Sequence, residues 1–379
     1  MNIRQIKNKI STNLINARGW KTNRKIIVFE SDDWGSIRMP SNKAYHNMLK
    51  KNIRVDRCPF NSYDSLASEK DLNELFNLLV NFKDYKRNHP VITANTVVCN
   101  PDFIKIRESG YRKYYYENFT TTLEKYPFHQ NSISFWKEGI KQKIFHPQFH
   151  GREHLNISLW LKLLQNNNDI FRLAFNNNFW GISPLIYKPN KINIQAAFDA
   201  EKKVELQLHK KIIKDGLELF SKQLGFKSKT FIANNFIWDN SLNDTLKREN
   251  INIIQGIKYQ KLPLFSRSKH RLIRHYTGEL KNNQIYLVRN CFFEPTLFPN
   301  KDIISSCLQE IDIAFAWKKP AIISLHRLNF IGYLDENNRN KNLELFRILL
   351  NKILKNWPEI EFMTSKELGN LILDSYNSH

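Results

Sequence analysis

The sequence predicts an α/β fold in which strands and helices alternate along one chain of 379 residues. Three observations carry this. Apolar runs such as Ile26-Ile27-Val28-Phe29 and Ala321-Ile322-Ile323-Ser324-Leu325 are separated by stretches with apolar residues at helical spacing, the rhythm of a βαβ chain. Polar residues stand just past several runs, Asp32 and Asp33 after the first and His326 after the last, and in a β/α barrel catalytic residues collect at that end. A composition of 41% hydrophobic and 13% aromatic residues is ample for a large core.

Taken in order, residues 1–20 place Ile3, Ile6, Ile10 and Leu14 at helical spacing among Arg4, Lys7, Lys9 and Arg18. This basic amphipathic helix, set apart as residues 1–24, can dock on the protein's own core or lie on an anionic membrane surface. Residues 25–379 form the main domain. Its first strand, residues 25–30, leads to Asp32-Asp33, and adjacent carboxylates cannot point the same way from an extended chain. One can then ligate a metal while the other faces the attacking water. Leu72, Leu75, Phe76, Leu78 and Leu79 give a helix over 71–82, and Val91-Ile92-Thr93-Ala94 opens a strand over 90–98. The tyrosine-rich residues 111–126 are expected to be helical.

Residues 145–154 hold His146, His150 and His154, three imidazoles within nine residues. If a helix begins near Gly151, His150 and His154 sit one turn apart, a spacing that lets two imidazoles reach one metal ion. A third ligand has to come from elsewhere, and Asp32-Asp33 is the best source. Beyond a helix over 155–164, residues 165–200 turn Asn-rich without a clear period and read as an insertion. A helix over 201–224 ends at Gly225, a C′ glycine. Strands follow at 230–235, 251–254, 286–290 and 320–325, with helices at 241–249, 302–317 and 342–354 and a last helix at the C-terminus.

Lys and Arg number 58 against 36 Asp and Glu, a net charge of +22. The excess is spread along the chain with no arginine-rich tail or nucleic-acid module, so no nucleic-acid partner is expected. Cys58, Cys99, Cys291 and Cys307 lie far apart with no C-x-x-C pair and read as buried free thiols. With neither a signal-peptide core nor a run of about 18 apolar residues, a cytoplasmic location is expected.

Asp32-Asp33 near the first strand, His150-Gly151-Arg152-Glu153-His154 in the middle and Leu325-His326 on the last strand resemble the motifs of the polysaccharide deacetylase superfamily, the carbohydrate esterases with a NodB-homology domain. The flanking residues 31–36, 146–156 and 324–329 look like the divergent branch found with bacterial surface-polysaccharide biosynthesis. The resemblance spans roughly residues 25–375 and implies a distorted (β/α) barrel. It also implies a divalent metal of the Zn2+ class held by Asp33, His150 and His154, with Asp32 as base and His326 as general acid. Where the family has Arg and Pro after a strand, this chain has Ile232 and Asn234, leaving Arg289 or Arg38 to orient the base. The acid's carboxylate partner is Glu294 or Asp239. Trp34 is either a sugar-stacking residue or a core residue, and Trp34, Asn234, Arg289 and Glu294 make up the expected substrate side.

The activity implied is metal-dependent removal of an N-acetyl or O-acetyl group from a sugar, possible lipid linkage of that sugar included, with peripheral contact at the inner membrane face. Two other readings stand beside it. The missing Arg suggests a catalytically inactive carbohydrate-binding relative, and the charge suggests a basic nucleic-acid or membrane-surface adaptor.

Overall fold

A computed structural model of the chain describes residues 3–187, 192–265 and 267–377, with side chains described from residue 10 onward. Its centre is a mostly parallel sheet of ten strands: β1 (Ile26–Trp34), β2 (Ile92–Thr96), β3 (Phe145–Phe149), β4 (Thr230–Phe231), β5 (Ile253–Gly256), β6 (Glu279–Lys281), β7 (Gln284–Val288), β8 (Cys291–Phe292), β9 (Ala321–His326) and β10 (Glu361–Phe362). The hydrogen-bonded order is β6-β7-β5-β4-β3-β2-β1-β9-β8, with β10 also paired to β1 and β6–β7 an antiparallel hairpin. Among the described residues no ladder joins β6 to β8. With helices packed on the sheet, the architecture is α/β, as the alternation in the sequence predicts.

β1 explains why. Every one of its residues is buried, as a parallel strand covered on both faces requires. Odd and even residues then face different surroundings. Phe29 meets Phe346 of the helix Glu336–Asn356 edge-on at 5.2 Å. Ile26 and Val28 pack with Ile253, Ile285, Leu287 and Ile322, and with Leu368 and Ile372 of the helix Ser365–Asn377. Burying each such side chain contributes about 1.5–3 kcal/mol.

The face that carries Ile26 and Val28 turns polar towards the strand ends. Val28 lies beside Ile322, Glu30 beside Ser324 and Thr93, and Asp32 beside His326. At the middle level a buried hydrogen-bonded chain crosses the fold. Gln148 Oε1 accepts from the Thr230 amide (2.9 Å), and Thr230 Oγ1 donates to Gln255 Oε1 (2.6 Å). Gln255 Nε2 donates to Ser365 Oγ (3.1 Å), and Ser365 Oγ donates to Glu30 Oε1 (2.7 Å). A buried polar group left without a partner costs about 1–3 kcal/mol, so this layer survives only because its members satisfy one another.

Several elements differ from expectation. Residues 111–126 are not one helix, because Gly110 and Tyr111 both take φ +62° and interrupt helical backbone. Instead Tyr116–Asn118 pairs antiparallel with Cys99–Pro101, and a helix spans Phe119–Lys125. The strand expected at 230–235 stops at Phe231, since Asn235 and Phe236 turn the chain at φ +56° and +59°. Gly225 does close the helix Glu205–Leu224, at φ +80°.

The N-terminal helix Ile3–Asn16 is tied to the body: Trp317 Nε1 donates to Asn13 Oδ1, and Asn290 Nδ2 donates to Asn16 Oδ1, each at 2.8 Å. Ile10 and Leu14 remain about half exposed, while Ile3 and Ile6 fall outside the side chains described. In the Asn-rich stretch, Phe171, Phe175, Phe179 and Trp180 join the main core; residues 188–191 lie outside the described part. The four cysteines are free and buried. Among the described residues no helix is long and apolar enough to cross a membrane.

Candidate active site

Neighbouring parallel strands bring the carboxyl ends of β1, β2, β3 and β9 to one rim. At that rim β1 loses its regular alternation. Its ladder with β2 shifts register between Ser31 and Trp34, and Asp33 adopts φ +76°. A non-glycine residue in such a conformation costs about 1–3 kcal/mol, so the surrounding structure has to impose it.

The result is a compact group. Ligand atoms of Asp33, His150 and His154 all lie within 4.8 Å of one another, and all three residues are buried. Asp33 Oδ1 is 3.1 Å from His154 Nε2 and 3.5 Å from His150 Nε2, yet no well-oriented hydrogen bond reaches it. Asp33 Oδ2 is taken by Arg38 Nη2 at 2.9 Å. Burial opposes ionisation of Asp33, but Arg38 and then His154 outweigh it and hold the carboxyl well below its usual range. His150 Nδ1 donates to the Ile232 carbonyl at 2.9 Å, which leaves Nε2 facing Asp33. His154 stacks on Trp180 with ring centroids 6.2 Å apart. Burial, opposed by Asp33 and assisted by Arg38, pushes the His154 imidazole down to about 4, so it is neutral at neutral pH.

Two imidazole nitrogens and a carboxylate oxygen with no donor of its own fit a divalent cation of the Zn2+ class. The spacing of the two histidines does not come from a helix. Gly151 takes φ +118°, and the next helix begins only at Ile157, capped by Asn156. The loop brings the two rings to 5.3 Å. A Cβ at Gly151 would stand 3.2 Å from the Glu153 carbonyl oxygen, a second reason for glycine there.

Beside this group stand Asp32 and His326, opposite each other across the β1–β9 ladder with Asp32 Oδ2 3.8 Å from His326 Nε2. Asp32 is held from below. Arg289 Nη1 donates to Oδ2 (2.7 Å), Arg289 Nη2 to Oδ1 (2.6 Å) and Asn95 Nδ2 to Oδ1 (2.8 Å). Arg289 is in turn held by Glu30, whose Oε2 accepts from Nε at 2.6 Å. Burial would raise Asp32, but Arg289 outweighs it and brings the carboxyl to about 2. His326 Nδ1 donates to Glu294 Oε1 at 2.6 Å, and Asn329 Nδ2 donates to Glu294 Oε2 at 2.9 Å. Burial would lower His326, but Glu294 first, then Asp32 and Asp33, raise it to about 9.

The expected substrate side needs correction. Trp34 is a core residue, 1% exposed, packed edge-on against Trp136 and Phe145 with Nε1 donating to Ser31 Oγ, so no sugar can stack on it. Trp34→Ala is expected to lower stability by about 3–5 kcal/mol in urea denaturation, the cost of deleting a buried aromatic. Arg289, fully buried, grips Asp32 and does not line an open cleft. Asn234 is also fully buried and donates to the His150 carbonyl at 3.0 Å. Glu294 touches His326 rather than facing outward, whereas Asp239 accepts from the Ser241 amide and makes no contact with His326. Glu30, Asn95, Trp180 and Asn329 were not foreseen, nor was Phe60, whose ring meets His326 edge-on at 5.1 Å. Only Glu30, an acid continuing an apolar strand, carries a signal in the sequence.

Fold and site together define an α/β protein with an Asp-His-His group and an Asp–His pair at the strand carboxyl ends. No family model and no curated protein matches the chain. Among solved structures it is similar to one described as a polysaccharide deacetylase from Mycobacterium smegmatis, at 8% identity and TM-score 0.45 over 95% of this chain and 94% of that one. It is also similar to an allantoinase, at 9% identity and TM-score 0.45 over 93% and 91% of the two chains. A polysaccharide deacetylase from Bacillus cereus matches at 14% identity and TM-score 0.29 over 71% and 65%.

Proposed function

We propose that this protein is a metal-dependent hydrolase that removes an acetyl group, N-linked or O-linked, from a sugar of a surface polysaccharide or its precursor. The observation that carries the reading is the donor-free Asp33 Oδ1 facing His150 Nε2 and His154 Nε2, with Asp32 and His326 3.8 Å apart beside it. The motif order in the sequence supports the choice of deacetylation among hydrolyses.

Asp33, His150 and His154 would hold the ion. When bound, a Zn2+-class ion supplies Lewis acidity for the acetyl carbonyl and for water. Asp32, ionised above about pH 2, accepts the proton of the attacking water on Oδ2; Arg289 and Asn95 fix the carboxylate and leave that oxygen a free lone pair. His326 carries a proton on Nε2, because Glu294 binds Nδ1 and stabilises the imidazolium, and it donates that proton to the leaving amine or alcohol. Arg289 fills the base-orienting place that Ile232 and Asn234 leave open, which favours an active enzyme over an inactive binding relative.

Acetate release from acetylated hexosamine oligosaccharides, with and without added Zn2+, tests the proposal. Metal-dependent release is the expected result. Tight sugar binding without release would leave the inactive reading standing instead.

The half-exposed Ile10 and Leu14 on a basic helix support contact with the inner membrane face, where a lipid-linked precursor resides. Replacing the half-exposed Ile10 and Leu14 with Ser is expected to weaken binding to anionic vesicles while the chain stays folded, because Asn13 and Asn16 keep their ties to the body. Undiminished binding by this double variant would sink this part of the proposal.

A further inference from the structure

At the end of the strands remote from Asp32 and His326 the chain forms a cavity of ≈ 530 Å³, within the usual range of about 300–1,000 Å³ for a small-molecule pocket. Its wall is built where strands begin: Arg24 precedes β1, Val91 precedes β2, Phe145 and His146 open β3, and Glu361 and Phe362 form β10. None of its residues belongs to the site already described.

The charges on this wall do not balance. Five Lys or Arg side chains face two Glu. Glu361 is already engaged, accepting from Arg24 Nε and Nη2 at 2.7 and 2.6 Å and from Lys86 Nζ at 2.7 Å. Glu367 is turned onto Thr364, accepting from its amide and hydroxyl at 2.8 Å each. Arg87, Lys143 and Lys366 come from three separate segments, and none of them has an ion pair among the described residues. His146 also lines the wall, with Nε2 3.0 Å from Gln148 Nε2. Burial, and then Lys366, push this imidazole down to about 4, so it is neutral; with Nε2 accepting from Gln148, Nδ1 carries the proton and is left to donate. Unpaired cations that line one concave wall repel one another when the cavity holds only water, and an anion with several oxygens relieves that repulsion through charge-assisted hydrogen bonds. Arg87 supplies a planar fork suited to two oxygens of one phosphate, and the two lysines supply point charges for the others.

We propose that this cavity binds a small phosphate-bearing anion, held by Arg87, Lys143 and Lys366 with His146 in its wall. Titration calorimetry of the full chain with inorganic phosphate, pyrophosphate and a nucleoside diphosphate tests it, and the tightest binder of the three distinguishes a free phosphate from a nucleotide source. The expected result is binding with a dissociation constant below about 1 mM, weakened about tenfold or more in a Lys143→Ala, Lys366→Ala double variant that loses two charge-assisted contacts. The ring resonances of His146 should shift on titration and those of His326 should not. His154→Ala should bind the anion as well as the parent does, whether or not the chain is a deacetylase. Absence of binding by all three probes, or binding that the double variant keeps in full, overturns the proposal. So does binding lost in His154→Ala, which would put the anion at the other end of the strands.

Discussion

Replacing His154 with Ala is expected to leave a folded protein that no longer holds a stoichiometric divalent ion. The ring packs against Trp180 and lies 3.1 Å from Asp33 Oδ1, so removing it takes away one of three donors and leaves Asp33 and His150 alone. Asp33 keeps its pair with Arg38, and the strand ladders do not run through residue 154, so the fold should persist. Elemental analysis after dialysis should fall from near one ion per chain towards none. Thermal or denaturant unfolding gives a second readout. A ligand present at about 100 times its dissociation constant adds about 2.7 kcal/mol of stability, and this increment should vanish in the variant. His146→Ala is the control, because His146 lies near the amino-terminal end of β3, the strand that leads into the loop carrying His150 and His154, and faces the other cavity. Unchanged ion content in His154→Ala would remove the proposed centre.

The residues that motif order could reach were the ones whose chemistry repeats in short, recognisable spacings: Asp32-Asp33, His150 and His154, and Leu325-His326. What surrounds them depends on register between strands far apart in sequence, and a single sequence does not show that register. Arg289 is 257 residues from Asp32 and meets it only because the fold brings the end of β7, which Arg289 follows, beneath the end of β1, which carries Asp32. Asn95 reaches Asp32 for a similar reason, from the neighbouring strand β2.

Trp34 shows how local geometry defeats a periodic reading. Strict alternation along β1 would put it on the same face as Asp32, at the mouth of the site. The left-handed Asp33 and the register shift beside it turn the chain, and Trp34 goes into the core against Trp136 and Phe145. The same irregularity presents Asp33 to the two histidines, so the feature that hides Trp34 also builds the candidate ligand set. The α/β alternation was legible because parallel strands buried on both faces need continuous apolar runs, which do not depend on register. Glu30 was the exception available in the sequence: an acid in such a run has to find a partner, and Arg289 is that partner.

Asp32→Asn and His326→Ala are each expected to cut turnover by about 10² to 10⁴, the scale of a positioned acid or base, with ion content unchanged. Neither residue belongs to the Asp33-His150-His154 group, and each has its own anchor, Asp32 in Arg289 and His326 in Glu294. Full activity in Asp32→Asn would transfer the search for a base elsewhere, although Glu153 is a poor substitute because both its oxygens are taken by Arg152 at 2.7 and 2.9 Å. The pH dependence follows from the sign of the His326 shift. Its ordinary value is about 6.5, and in the folded protein Glu294, Asp32 and Asp33 overcome burial and raise it to about 9. The acid form is therefore present through neutral pH and is lost as pH rises through about 9, so activity should fall on that alkaline limb. By linkage, the ion pair's contribution to stability is complete below about pH 6.5 and disappears between there and about 9. Glu294→Gln keeps a hydrogen-bond acceptor but removes the charge, so His326 should titrate at lower pH and the alkaline limb should move down with it. Histidine NMR of the metal-free protein reads the titration directly. An imidazole that titrates at the same pH in parent and Glu294→Gln would show that Glu294 does not set the proton affinity of His326, and would end its assignment as the carboxylate that holds the acid in its charged form.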